Sequence, residues 1–422
     1  MPLPRPELEI VEFYPLSKDT SIIVFGAKKA AIYELSSGNV YWLSERGRLI
    51  LEKFKKGLAL AKRQVEFINK ICKLGIQKLA FDEKTGLEIK KERYAKDFHT
   101  INIEVTSACN ERCIHCYGAF GLSNREKLKD ELTVEEQLEV IKEAKDLGFR
   151  TVQFIGGEPF IKASVTMQLI DYAKSLGFKW IQLYTNGTMI TKDVAREIAK
   201  KNVEVKISLY GHSPEVHDGI TRSPGSFERT MRGIKLLQSH GMDVRVGVPI
   251  MRQNQEALDE IERFLKRSGV EKIFMDPIRP VGRGTDKSVQ PTDLRVIKYR
   301  IRCRPSFRTS YDSFIRFKYA NSCLHGNACV TSFGDVIPCV EIRNFVIGNI
   351  RKRRFREIMM SNAPDKYWYT TKEDIETCRV CEFRYACFDC RALAINENFF
   401  SRGNCCTYDP FAGKWGQPAR AT

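Results

Sequence analysis

The 422-residue sequence has no apolar run approaching the ~18 residues that cross a bilayer. Its first residues, Met1-Pro2-Leu3-Pro4-Arg5-Pro6, lack the basic and apolar regions of a secretory signal. There is no internal repeat of fixed period and no low-complexity tract. These absences predict a cytoplasmic protein with reduced thiols and no membrane partner. Wholesale disorder is excluded by 43% hydrophobic and 29% charged residues, and a small disulfide-stapled domain by the length. Two quantities are in excess. There are 14 cysteines, and 69 Lys and Arg against 52 Asp and Glu leave a formal charge of +17. In a reducing compartment, grouped cysteines predict metal ligands rather than bridges.

The cysteines are unevenly placed. Cys72 stands alone among Ile68, Ile71 and Leu74, as a small core residue would. Cys109, Cys113 and Cys116 form a tight group; a long cysteine-free stretch follows, and the other ten lie from Cys303 onward. The cysteine-free stretch alternates strand and helix patterns. Strands are predicted at 101–105, 151–155, 180–184, 203–209, 244–250 and 272–276, and helices at 165–176, 192–201, 227–239 and 255–266. A further helix opens on a capping box, Thr133 with Glu136, carries Leu138, Ile141, Ala144 and Leu147 as its apolar stripe, and stops at Gly148. Six strands with helix-length connections predict an α/β fold built as an incomplete (β/α)6 barrel, with a doubly wound open sheet as the alternative. The predicted divisions are 1–95, 96–302 and 303–422. In the first, strands 21–25, 31–35 and 39–43, with a turn at Ser36-Ser37-Gly38-Asn39, precede helices 45–54 and 61–74. This is a winged-helix-like α+β pattern without a strongly basic recognition helix. The last is cysteine-rich, with a core held by metal.

Cys109-Asn110-Glu111-Arg112-Cys113-Ile114-His115-Cys116-Tyr117 is C-x3-C-x2-C just after the first barrel strand. Three thiolates on a short loop can hold three irons of a [4Fe–4S] cube and leave the fourth open. Zinc would want a fourth protein ligand, and His115 sits awkwardly between two cysteines. The loop resembles the signature of the radical SAM superfamily, whose cluster binds S-adenosylmethionine (SAM). Gly156-Gly157-Glu158-Pro159, ending the second strand, resembles that family's motif for the methionine amine. The resemblance makes Cys109, Cys113 and Cys116 catalytic. It places Tyr117, Gly156, Gly157, Glu158, Pro159, Asn186, Ser208 and Arg222 around SAM, which would be cleaved reductively to a 5′-deoxyadenosyl radical. Arg279 and Arg283, after the sixth strand, are candidates to touch SAM or an acidic peptide, with a solvated loop charge as the alternative.

Cys323, Cys339, the run Cys378-x2-Cys381-x5-Cys387-x2-Cys390, and Cys405-Cys406 resemble the SPASM extension of peptide-modifying radical SAM enzymes, which holds two auxiliary [4Fe–4S] clusters. The family often has x3 where this chain has x2 before Cys390. If Gly334 centres a hairpin, Cys329 and Cys339 face each other on one side, ~5 Å apart at Cβ. The resulting assignment gives Cys323, Cys329, Cys339 and Cys390 to an inner cluster, with Cys303 as rival to Cys329. The resemblance gives Cys378, Cys381, Cys387 and Cys406 to an outer one, with Cys405 as rival to Cys406. Counting eleven thiolates and three dicationic cores lowers the +17 to about +12. The basic run Arg351-Lys352-Arg353-Arg354 is expected to be a solvated face.

Residues 31–75 resemble the PqqD-like RiPP recognition element, to which the leader of a ribosomally made precursor peptide adds as a strand. The resemblances together imply a radical SAM/SPASM maturase. It would carry three [4Fe–4S] clusters, take electrons from a donor such as flavodoxin or ferredoxin, and modify a precursor peptide bound through its leader. A thioether or carbon–carbon crosslink leads, ahead of backbone excision or epimerisation. The competing readings are an anaerobic sulfatase-maturase-like enzyme and a zinc-bearing basic nucleic-acid binder. The first expects an aspartate base just after an auxiliary-cluster cysteine, where this chain has Val340 and Glu341. The second has no need of the Gly156–Pro159 and Asn186 motifs.

Overall fold

The computed structural model describes residues 8–11, 16–122, 127–292, 305–394, 398–403 and 406–416. Cys303 and Cys405 lie outside them. An N-terminal set comprises β1 (Glu9–Ile10), β2 (Ser21–Phe25), β3 (Ala30–Glu34), β4 (Val40–Leu43), α1 (Glu45–Lys55), α2 (Lys62–Lys73), β5 (Lys78–Phe81) and α3 (Leu87–Arg93). A middle set alternates β6 (Thr100–Glu104), α4 (Val134–Leu147), β7 (Thr151–Ile155), α5 (Ala163–Ser175), β8 (Trp180–Thr185), α6 (Lys192–Ala199) and β9 (Glu204–Ser208). It continues with α7 (Pro214–Thr221), α8 (Ser226–Ser239), β10 (Arg245–Ile250), α9 (Leu258–Arg267) and β11 (Lys272–Pro277). The last set holds α10 (Tyr311–Tyr319), β12 (Asn327–Val330), β13 (Asp335–Ile337), β14 (Gly348–Asn349) and α11 (Phe355–Met360). Among the described residues no helix is long and apolar enough to cross a membrane.

The chain divides into two compact units, each assembled from separate stretches. One draws on Met1–Ala95, Ile301–Cys323 and Tyr369–Ala419, the other on Lys96–Arg300 and Leu324–Trp368. The three predicted divisions are continuous stretches of chain; the units are built from pieces of them.

In the second unit β6 to β11 run parallel in strict sequence order. Right-handed crossovers between sequential neighbours put every helix on the same side. Side chains alternate accordingly. Val152, Phe154, Leu183, Val205, Ile207 and Val246 are buried, while Gln153, Gln182, Tyr184, Lys206 and Phe274, on the alternate face, are half-buried or exposed. This is the open six-stranded half-barrel that the pattern predicts. Strand β12 adds to β6 in parallel, and β13 and β14 follow antiparallel, completing a nine-stranded sheet. The capping box of α4 forms, with Glu136 N donating to Thr133 Oγ1 at 3.2 Å and Thr133 N to Glu136 Oε2 at 2.8 Å. Gly148 ends the helix at φ +98°. The helix buries Gln137, Val140, Ile141 and Ala144, leaving Leu138 and Leu147 half-buried.

One expectation fails here. Cys329 pairs across the hairpin with Ile337, not Cys339. The turn centres on Phe333, closed by Thr331 N to Asp335 O and Gly334 N to Thr331 O, so the register shifts by two residues. Cys339 keeps the same face but stands diagonal to Cys329, which lengthens the expected Cβ separation to ~7 Å. The basic run is exposed at all four residues, as expected of a solvated face, and two of its arginines form ion pairs with α4. Arg351 Nε meets Glu136 Oε1 at 2.7 Å, and Arg354 NH2 meets Glu143 Oε1 at 2.5 Å, both on α4.

In the first unit β2, β3 and β4 form the predicted antiparallel set, turning at Gly38 with φ +77°. Strand β5 inserts in parallel beside β2, and β1 lies outside it. One sheet face packs Ile23, Ile32 and Leu79 on Ile50 and Leu51 of α1 and Ile68 and Ile71 of α2, with Cys72 half-buried against them. The other packs Ile22, Val24, Tyr33 and Ala80 on Phe314 of α10 and on Tyr385 and Ala386.

Candidate active site

The loop after β6 is clamped on three sides. Gly157 N donates to Thr106 O and Glu158 N to Ala108 O, both at 2.8 Å, fixing it to the end of β7. Arg112 N and Ile114 N donate to Thr221 O and Ile220 O at 3.0 Å, fixing it to the end of α7. Arg283 completes the clamp, its Nε on Cys113 O at 2.8 Å and its backbone N on Cys116 O at 3.0 Å. Arg283 therefore holds the cysteine loop rather than standing as a solvated charge. Arg279 is buried and pairs with Asp276 at 2.6 Å.

The three thiols lie within electrostatic reach of one another. Burial, helped by Glu158, Glu111 and Cys116, pushes the Cys109 thiol up to about 12, and burial with Glu111 raises Cys113 as well. Burial also pushes Glu111 up to about 7, with Cys113 Sγ 3.5 Å from its Oε2. His115 is pushed down to about 4 by burial and then by Arg283, so its imidazole is neutral. Its ring stands edge-on to Tyr210 at 4.8 Å. Among the described residues no three His, Cys, Asp or Glu side chains are spaced for a single metal ion. The donor set, three half-buried cysteines on one loop, fits the larger iron–sulfur cube with one iron left over.

The glycines of Gly156-Gly157-Glu158-Pro159 are required by close backbone approach. Gly156 has φ +139°, and a Cβ on it would overlap Thr106 O; one on Gly157 would overlap Ala108 O. Gly157→Ala is therefore expected to push the cysteine loop off β7, with loss of iron from the first centre and a drop in thermal midpoint, both measurable on purified protein. Glu158 is fully buried. Its carboxylate accepts from Phe160 N at 3.0 Å, Thr185 Oγ1 at 2.7 Å and Asn186 N at 2.7 Å, so it ties the ends of β7 and β8 together. Burial raises its pKa, and these three donors oppose that. Pro159 is buried and opens a short 3-10 turn. Asn186 Nδ2 donates to Asn110 Oδ1 at 2.8 Å, linking the end of β8 to the residue after Cys109. Ser208 ends β9, where the hydroxyl of buried Tyr210 interacts with both Ser208 and Cys113. Tyr117 stands edge-on to Phe120 at 5.4 Å, its hydroxyl pKa raised by burial and then by Glu104 and Cys329. Arg222 is exposed at the end of α7 in a left-handed conformation, φ +52°, which is rare for a non-glycine residue.

Sequence reasoning missed Tyr210, Asn110 and the clamp made by Arg283. Asn110 was adjacent to a named ligand and Tyr210 two residues past Ser208, so proximity was their only signal.

In the first unit a cavity of about 40 Å³ is lined by five thiols, Cys378, Cys381, Cys387, Cys390 and Cys406. Lys372, Arg384, Arg391 and Arg402 share the lining. Burial works against the Lys372 charge, but Asp389, 2.9 Å away, with Cys387 and Cys378, raises its pKa. Four thiolates on a dicationic cube leave a net negative charge, so this cationic lining suits such a cluster. Of the four cysteines assigned to the inner cluster, Cys329 and Cys339 belong to the second unit and Cys323 and Cys390 to the first. Cys329 is fully buried, its pKa raised by burial and then by Glu104, which Arg343 pairs in bidentate fashion.

A half-barrel with a clamped three-cysteine loop at the carboxyl end of its first strand defines the class. Residues 103–266 match the radical SAM superfamily, and residues 323–382 match SPASM, an iron–sulfur cluster-binding domain. The chain is a radical SAM/SPASM enzyme. The AdoMet-dependent heme synthase of Methanosarcina barkeri is 26% identical, over 73% of this chain and 95% of its own. The antilisterial bacteriocin subtilosin biosynthesis protein AlbA of Bacillus subtilis is 27% identical, over 72% of this chain and 70% of its own. Among solved structures, Streptococcus suis SuiB bound to its precursor peptide SuiA has a TM-score of 0.58 at 16% identity, covering 93% of this chain and 99% of that one. That likeness shows the shared fold.

Proposed function

We propose that this enzyme cleaves SAM reductively at the Cys109, Cys113 and Cys116 centre and modifies a ribosomally made precursor peptide, a crosslink being the leading product. The observation that carries the first half is the clamped loop, which bears three half-buried cysteines and is fixed to Gly157 and Glu158 by backbone hydrogen bonds. A [4Fe–4S] cluster held by Cys109, Cys113 and Cys116 would supply the electron for reductive cleavage of a carbon–sulfur bond of SAM. The chain's own part is positional. Tyr117, Gly156, Gly157, Glu158, Pro159, Asn186, Ser208 and Arg222 are proposed to seat SAM, and the helix-free face of the half-barrel to receive the substrate. Two auxiliary clusters are proposed on the cysteine sets assigned above, with a flavodoxin or ferredoxin as electron donor and the cytoplasm as the compartment.

The peptide half is supported by the subtilosin relative and by the five-stranded sheet, in which β4 is an edge strand. A leader would extend that edge by backbone hydrogen bonds. Part of the edge is already taken by this chain: Val40 N donates to Phe307 O at 3.0 Å, and Asn39 bridges Arg308. The stretch left for a leader is Tyr41 to Leu43. The heme synthase relative favours a second reading, a tetrapyrrole substrate. Fluorescence polarisation of labelled leaders, from short reading frames beside the gene, against the full chain separates the two. Saturable leader binding supports the peptide reading; none from any encoded leader, with binding of a tetrapyrrole, overturns it.

A further inference from the structure

The helix-free face of the half-barrel carries a polar row in register. Asn102, Gln153 and Gln182 are neighbours across β6, β7 and β8, and Tyr184 stands opposite Lys206 of β9. Gln153 Nε2 donates to Gln182 Oε1 at 2.5 Å. The neighbouring charges on this face are paired: Glu204 with Arg245, Asp276 with Arg279, and Glu104 with Arg343. Lys206 differs. Its ammonium donates to the Tyr184 hydroxyl at 2.8 Å and to Gln182 Oε1 at 3.1 Å, both neutral acceptors. Among the described residues no carboxylate lies within ion-pair distance of it. An ammonium has three donors, and two are used.

Its position matters as much as its charge. Lys206 lies two residues before Ser208 on the same strand face, so it is about 6.6 Å along the strand from the proposed SAM seat. Ser208 is level with Gly247, and Gly247 with Phe274, on the next two strands. A Cβ at Gly247 would meet nothing within 4 Å, and Phe274 is 66% exposed. The face thus offers open space, an aromatic wall and one uncompensated cation, all beside the strand end where chemistry is proposed.

We infer that Lys206, with the Tyr184 hydroxyl, binds a carboxylate of the substrate on this concave face: an Asp or Glu side chain, or the free C-terminus of the peptide. A residue lying across Gly247 and Phe274 would then be anchored by its charge and held toward Ser208. A charge-assisted hydrogen bond in a partly dry site is the strong kind, so the anchor selects acidic over neutral substrates. For the peptide as its bearer, the inference rests on the function proposed above.

The test uses the full, anaerobically reconstituted chain and peptides from the neighbouring reading frames, in native form, as C-terminal amides, and with each acidic residue changed to its amide. With native peptide, Lys206→Gln is expected to raise KM about tenfold or more, and Lys206→Arg to restore most of the loss. One neutralised peptide should be equally poor with the wild-type enzyme and lose nothing further with Lys206→Gln; which one it is distinguishes side chain from C-terminus. Unchanged KM in Lys206→Gln, or full activity of every neutralised peptide, overturns the inference. If the wild-type enzyme modifies none of the peptides, the peptide reading fails instead. The carboxylate site is then decided by acetic anhydride footprinting with succinate against succinamide: selective protection of Lys206 by succinate supports it, and equal labelling overturns it.

Discussion

Changing any one of Cys109, Cys113 or Cys116 to alanine is expected to abolish 5′-deoxyadenosine formation from SAM and to remove about four irons per chain. Three thiolates hold three irons and leave one free for a ligand, so a two-thiolate loop leaves a second iron without a protein ligand. The neighbours cannot substitute. His115 faces Tyr210, and Glu111, already against Cys113, lies two residues from either flanking thiol. The fold itself should survive, because the clamp on the loop is made by backbone groups and Arg283 rather than by the thiols. Iron quantitation, circular dichroism and product chromatography on each variant check all three statements. A variant that retains product formation would remove that cysteine from the centre.

The largest stability effect is expected in the first unit, at Lys318. Its ammonium is fully buried and donates to Asp82 Oδ1 at 2.6 Å, Glu83 O at 2.6 Å, Glu373 Oε1 at 3.1 Å and Tyr385 OH at 3.1 Å. Arg384 also pairs with Asp82, and Glu373 accepts from Thr85 Oγ1 at 2.8 Å. The cluster joins three separate stretches of the first unit through one cation. Lys318→Met leaves buried carboxylates short of a counter-charge, which typically costs about 3–5 kcal/mol. Asp82→Asn should cost a similar amount, and the double variant less than the sum, since each removes the other's reason for being charged. Urea unfolding followed by tryptophan fluorescence measures this. Additive losses would mean that the two residues act independently.

Much of the second unit was legible in the sequence because local signals governed it. Period-two alternation marked all six parallel strands to within a residue or two, and the Thr133–Glu136 box and Gly148 bounded α4. The triad and the Gly-Gly-Glu-Pro stretch were legible because their spacing is the chemistry. What escaped was set by distant partners. Strand β5 is four residues long, and its place beside β2 depends on non-local pairing. The Cys329 register depended on whether a turn centred on Phe333 or Gly334, a one-residue difference that moves the partner by two. The closing of the sheet's second face by α10 depends on a lysine 236 residues from its carboxylate. Nor did the sequence announce that residues 307 and 308 cover the start of β4. That cover narrows the edge on which the leader reading depends.

The central claim is that the three-thiol loop binds a SAM-cleaving iron–sulfur cluster in a chain that carries two more. Anaerobic purification and reconstitution, with iron counted per chain and SAM then added with dithionite, tests it most directly. The account predicts a brown protein with about twelve irons that forms 5′-deoxyadenosine. A colourless, zinc-loaded protein that leaves SAM intact would contradict it.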